Sequence, residues 1–149
     1  MRTCIALICF LVGMAGVAMA QEPNQCRLNV TPVRFGDYNP LARGDARGNG
    51  IISYSCSTSM PISIAIEHGN GAVERRMAKG AVPLEYNLYL DAACTVIWGD
   101  GSAGSQLYRD PTPRPDTDIT VPVYACIRGG QRQAGVGVYN ASLTVTIHY

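Results

Sequence analysis

The chain has 149 residues, with 12 basic against 11 acidic side chains and a formal net charge of +1. A single lysine, Lys79, and the lack of any basic run exclude the electrostatic footprint of a nucleic-acid or anionic-membrane binder. Low charge together with 16 glycines and many Ser, Thr and Asn residues fits an exported β protein.

Residues 1–20 read as a secretory signal. Arg2 provides a short basic start, residues 4–17 are almost wholly apolar, and Ala18-Met19-Ala20 ends in the small-x-small pattern of a cleavage site. The apolar run falls short of the roughly 20 residues needed to span a bilayer. Cys9 lies too early for a lipoprotein cleavage point. Residues 21–149 are then expected to form one domain, long enough for a real core. Removing Arg2 with the signal balances the remaining basic residues against the 11 acidic ones.

Cys26, Cys56, Cys94 and Cys126 remain after cleavage, and an even count in an exported chain reads as two disulfides with three possible connectivities. Cys26–Cys56 and Cys94–Cys126 are favoured because they join near neighbours. Loops of about 30 residues imply on the order of 3–4 kcal/mol each in the chain-entropy model. No two cysteines sit at C-x-x-C spacing, and His68 and His148 are distant in sequence, so a metal centre is not expected.

The body reads as short strands. Residues 27–35 carry Leu28, Val30 and Val33 and are broken by Pro32, as in an edge strand or one that switches sheets. Residues 36–50 form a polar loop with Asn39-Pro40, Arg43-Gly44-Asp45 and Gly48-Asn49-Gly50. Ile52, Tyr54 and Cys56 share one strand face, and Ile62, Ile64 and Ile66 share the next, before a turn at Gly69-Asn70-Gly71. Residues 73–81 are charged and fit a single helical turn. Leu84, Tyr86, Leu88 and Leu90 alternate with Glu85, Asn87 and Tyr89, and a short stretch at 95–98 ends in Gly99-Asp100-Gly101. Residues 104–118, with Pro111, Pro113 and Pro115, read as an irregular loop. Ile119, Val121, Val123 and Ala125 make a further strand.

The last twelve residues carry the clearest alternation. Tyr139, Ala141, Leu143, Val145, Ile147 and Tyr149 fall on one parity, with Asn140, Ser142, Thr144, Thr146 and His148 on the other. A strand this apolar has to pair at both edges or be covered. Many short strands, frequent turn signals and no helical period predict an antiparallel β-sandwich.

Catalytic constellations are absent from this pattern. Ser102, in Asp100-Gly101-Ser102-Ala103-Gly104, lacks the first glycine of a nucleophile elbow. His68 and His148 have no acid or nucleophile at a recognisable spacing. Residues 45–50 lack the ligands of a calcium loop. Asn29-Val30-Thr31 and Asn140-Ala141-Ser142 match the glycosylation acceptor inside strands, where chance explains them. A non-enzymatic protein without cofactor or small-molecule substrate is expected.

Phe35-Gly36-Asp37-Tyr38-Asn39-Pro40, Ile52-Ser53-Tyr54-Ser55-Cys56, Arg76-Met77, Leu84-Glu85-Tyr86-Asn87-Leu88-Tyr89, Trp98-Gly99-Asp100-Gly101 and Gly137-Val138-Tyr139 follow one another in order, closing with residues 143–149. In this ordered set, over residues 26–149, the chain resembles the spore coat protein U domain family, which includes the pilin subunits of archaic chaperone–usher pili. Cys94 and Cys126 are an additional pair, and Asn140-Ala141 replaces the Asp-Thr often found there. The resemblance implies an immunoglobulin-like sandwich lacking its last strand. It also implies strand exchange with a periplasmic chaperone, an outer-membrane usher and neighbouring pilin subunits, in a cell-surface fibre active in adhesion or biofilm formation. On that footing Tyr139, Ala141, Leu143, Val145, Ile147 and Tyr149 would form the chaperone and donor-strand interface. The alternative is an extracellular coat or matrix protein assembled without an usher. Ahead of Cys26, cleavage leaves only Gln21-Glu22-Pro23-Asn24-Gln25, too short and too polar to serve as a donor strand, so a tip position, or a place outside the fibre altogether, is expected.

Overall fold

Alternation in the sequence becomes pairing in the computed structural model, which describes residues 25–67, 74–79 and 81–149. The signal, His68 and the turn at Gly69-Asn70-Gly71 lie outside the described residues. Among the described residues eight strands follow in order: β1 (Cys26–Arg34), β2 (Ala46–Cys56), β3 (Ile62–Ile66), β4 (Arg75–Met77), β5 (Leu84–Tyr89), β6 (Tyr108–Asp110), β7 (Ile119–Ile127) and β8 (Val145–His148). They form a five-stranded sheet, β1-β2-β7-β5-β4, and a three-stranded one, β6-β3-β8. Every pairing between these strands is antiparallel.

The inner faces meet in one core. Ile52 and Tyr54 of β2, Tyr86 and Leu88 of β5, and Val121, Val123 and Ile127 of β7 pack against Ile62, Ile64 and Ile66 of β3. The result is an all-β, immunoglobulin-like antiparallel sandwich. Tyr54 donates its hydroxyl proton to the Asp110 carboxylate at 2.7 Å, joining β2 of one sheet to β6 of the other. Burial, followed by that hydrogen bond, pushes the Tyr54 pKa far above the usual phenol range.

Several segments depart from the sequence expectation. The charged stretch expected to form a helical turn is β4, an edge strand on β5 that buries Arg75 and Met77 while exposing Arg76. A single turn would not place two residues of one parity against the core. Within the Pro-rich stretch taken as irregular, β6 pairs with β3. The polar loop after β1 is shorter than expected, because β2 begins at Ala46 and runs through both Gly48 and Gly50. These glycines let β1 lie close. A Cβ on Gly48 would stand 2.6 Å from the Arg34 carbonyl oxygen, and one on Gly50 would stand 2.8 Å from Val33 Cγ2.

Arg75 ties the sheets together from inside. It is 1% exposed. Its Nε donates to the Glu67 carbonyl at 3.0 Å, and Nη1 donates to Asn87 Oδ1 at 2.6 Å. Nη2 donates to the carbonyls of Ile66 and Trp98 at 3.1 and 2.8 Å. Trp98, fully buried, donates its indole N–H to the Ile64 carbonyl at 2.9 Å. One planar guanidinium thus links β4, β5, the end of β3 and the Trp98 segment, a geometry no other side chain reproduces. Removing it strands buried carbonyls. Arg75→Ala is expected to cost on the order of 3–5 kcal/mol, and Arg75→Lys to recover only part of that loss. Urea unfolding followed through the fluorescence of Trp98, the one tryptophan in the chain, measures both.

Candidate functional site: an apolar groove between two sheet edges

β1 is an outer strand of the larger sheet, opposite β4, and β8 an outer strand of the smaller one. Each pairs along one side, β1 with β2 and β8 with β3. Between them the sandwich opens into a cavity of about 980 Å³. One wall is Val30, Val33 and Phe35 of β1 and its continuation, and the other is Tyr139 and Leu143 on the approach to β8 with Val145 at its start. The floor is the core itself, including Ile52, Ile66, Leu88, Val123 and Ile127. A cavity left by removing one leucine side chain is about 150 Å³, so this groove has room for roughly six large apolar side chains.

Local sequence accounts for each wall. Pro32 removes a backbone donor from β1, and the register with β2 shifts between Thr31 and Arg34, so β1 bulges where the groove begins. The disulfide Cys26–Cys56 joins the first residue of β1 to the last of β2, its partner in register. At one end Phe35 meets Tyr86 edge-to-face, with ring centroids 5.8 Å apart. Beyond it, the Tyr38 hydroxyl donates to the Arg128 carbonyl at 2.9 Å and accepts from the Gln131 N–H at 3.2 Å, joining the loop after β1 to the loop after β7. On the opposite wall, Lys79 lies over the Tyr139 ring, 5.8 Å from its centroid.

The terminal segment is less regular than its alternation implies. Hydrogen-bonded strand is confined to Val145–His148, where Ile147 faces Ile64 and Val145 faces Ile66. The ladder stops because β3 ends at Ile66, with one further bond from the Glu67 N–H to the Thr144 carbonyl at 3.0 Å. Upstream, Asn140 makes an isolated bridge to Ala78. Of the expected interface residues, Tyr139, Ala141, Leu143 and Val145 line the groove. Ile147 packs against the core instead, Ala141 is also solvent-exposed, and Tyr149 is 58% exposed beyond the ladder. The β1 wall was not anticipated as part of the site. Its apolar alternation around Pro32 was the available signal.

Among the described residues no group of three or more His, Cys, Asp or Glu side chains is placed to hold a metal ion. Ser102 donates its hydroxyl to Asp100 Oδ1 at 2.6 Å within a turn that also receives the Ser102 N–H. His148 is exposed on β8, where it faces Ser63. What the groove offers is different in kind. An unpaired strand edge beside a core-lined apolar channel supplies both backbone partners and side-chain pockets for an extended segment.

A model of the Spore Coat Protein U domain matches residues 12–146. Among solved structures, the fold is similar to a chain in the CsuC–CsuE chaperone–tip adhesion subunit pre-assembly complex from the archaic chaperone–usher Csu pili of Acinetobacter baumannii. The TM-score is 0.60 at 17% identity, over 85% of this chain and 40% of that one. The likeness is one of fold, and this chain spans less than half the length of the solved chain it matches. No curated protein matches the sequence.

The two faces of the terminal segment predict opposite tolerance. Val145→Asp places a carboxylate in the groove wall beside Ile66, whereas Thr144 is exposed. Val145 is half-buried, and an uncompensated carboxylate among its apolar neighbours costs on the order of 1–3 kcal/mol, a large share of a small domain's stability. Val145→Asp is expected to lower the urea midpoint sharply and Thr144→Asp to leave it nearly unchanged, as read by Trp98 fluorescence.

Proposed function

We propose that this chain, which belongs to the Spore Coat Protein U domain family, is an exported subunit of a surface fibre completed by a strand from another protein. The observation that carries this reading is the groove of about 980 Å³, floored by core residues and bordered by an edge of β8. An empty apolar channel of that size loses dispersion contacts along its whole length. An inserted extended segment restores them, while its backbone bonds to the free edge of β8. A periplasmic chaperone first lends such a segment, and a neighbouring subunit then replaces it at an outer-membrane usher. The solved neighbour's description as a chaperone–subunit pre-assembly complex supports the first of these partners, the chaperone. No cofactor or small-molecule substrate enters the scheme.

Within the fibre the subunit takes the distal, adhesive position, with residues 1–20 removed on export and residues 21–149 forming the strand-accepting domain. Five residues then precede Cys26, and they span at most about 17 Å when extended. Gln21, Glu22, Asn24 and Gln25 are polar and Pro23 lacks a backbone donor, so the segment offers no large side chain to a neighbour's groove. Cys26 itself is tied to Cys56. Such a subunit accepts a strand and does not donate one.

Co-expression with a periplasmic chaperone of the archaic chaperone–usher type tests both levels. A stable complex is expected, and after incubation alone it should give a single band on an unboiled gel. A ladder of self-polymers would overturn the distal position. A folded protein that never binds the chaperone would overturn strand acceptance itself.

A further inference from the structure

The second disulfide has surroundings that the groove does not explain. Cys94 sits in the turn after β5, half-buried and at a positive φ of 60°, and is bonded to Cys126 of β7, which is 4% exposed. Arg47, on β2 and in register with Cys126, reaches over the turn. Its Nη1 donates to the Ala92 carbonyl and lies 4.0 Å from Cys94 Sγ. A recess of about 280 Å³ opens at this point, lined by Arg47, Asn49, Ala92, Cys94 and Tyr124 among others. It shares no lining residue with the groove.

These features separate the two sulfurs chemically. A guanidinium beside a sulfur stabilises its thiolate, and the thiolate is the species that exchanges. Cys126 is enclosed and its backbone is paired on both sides, with β2 and with β5. The other charge in the turn, Asp91, is turned to its own backbone. Its carboxylate accepts from the N–H groups of Val96 and Thr95 and from the Thr95 hydroxyl, and the Val96 bond leads in holding its pKa below the usual carboxylate range.

We propose that Cys94 is a thiol–disulfide exchange site, the sulfur through which this bond is made and unmade by a small or protein-borne disulfide. In formation, the Cys94 thiolate attacks one sulfur of the reagent disulfide, forming a mixed disulfide and releasing the reagent's other sulfur as thiolate. The Cys126 thiolate then attacks Cys94 Sγ, closing the Cys94–Cys126 bond and expelling the remaining reagent thiolate. Two cysteines are oxidised and one reagent disulfide is reduced. Reduction runs the same steps backwards, so the mixed disulfide sits on Cys94 in both directions. The inference is independent of the fibre reading.

The test begins with the unmodified protein, exposed briefly to limiting reduced glutathione, quenched with an alkylating agent and mapped by mass spectrometry. The glutathionyl group is expected on Cys94 with the alkyl group on Cys126. A glutathionyl group on Cys126, or confined to Cys26 and Cys56, overturns the proposal. Single variants then give rates with oxidised glutathione. Cys126→Ser, which frees Cys94, should form the adduct at least about tenfold faster than Cys94→Ser, and adding Arg47→Ala should slow it several-fold. Equal rates, or no effect of Arg47→Ala, contradict it. In cells, a protein-sized adduct on Cys126→Ser identifies a protein disulfide as the reagent and a glutathione-sized one a small thiol. No adduct of either size overturns the assignment.

Discussion

Two strand edges that do not meet set the terms for this molecule. β1 closes one sheet and β8 the other, and the space between them is floored by residues that a complete sandwich would cover. Backbone donors and acceptors along an edge need partners, and apolar floor residues need contacts. Both needs are met together by one extended segment and by little else. The features around the opening preserve it. Pro32 and the register shift stop β1 from continuing as a regular edge, and Gly48 and Gly50 allow β1 to lie tight on β2 rather than fall inward. The Cys26–Cys56 bond holds the start of that wall in register.

An open core has to be held from its other side. Arg75 and Trp98 do this from within the sandwich, joining the end of β3 to β4 through bonds to backbone carbonyls and to β5 through the Asn87 side-chain oxygen. Such bonds are local to the segments they join, so they do not require the groove to be filled. The Tyr54–Asp110 bond adds a second tie between the sheets at β6. The molecule therefore combines a firmly cross-linked half with an open one.

Much of this was legible in the chain. The faces of β2, β3, β5 and β7 followed from simple alternation, because in each the apolar residues of one parity enter the core cluster, although Asn87 and Tyr89 of β5 and Cys126 of β7 are buried on the other face. β1 announced itself as an edge through Pro32. What stayed hidden shares a physical cause, in that the deciding partner is distant in sequence. Arg75 reads as surface charge until three carbonyls from β3 and the Trp98 segment surround it. β6 is three residues long, with Pro111 and Pro113 just beyond it, and only β3 makes it a strand. The terminal alternation overstated β8, since period two records which face is apolar and not whether a neighbour exists to complete the ladder. Ala141 and Tyr149 belong to that pattern and yet lie exposed, while Val30 and Val33 complete the groove from the far end of the chain.

Amide hydrogen exchange tests the central claim, that the groove is the seat of a missing strand. A segment of about ten residues with apolar side chains at alternate positions, fused through a flexible linker after Tyr149, would supply that strand within one molecule. The account predicts that the amides of Val145–His148 facing away from β3 become at least about tenfold better protected than in the unfused protein, with the melting temperature rising by about 5 °C or more. Unchanged exchange at those amides, with the added segment itself unprotected, would contradict it.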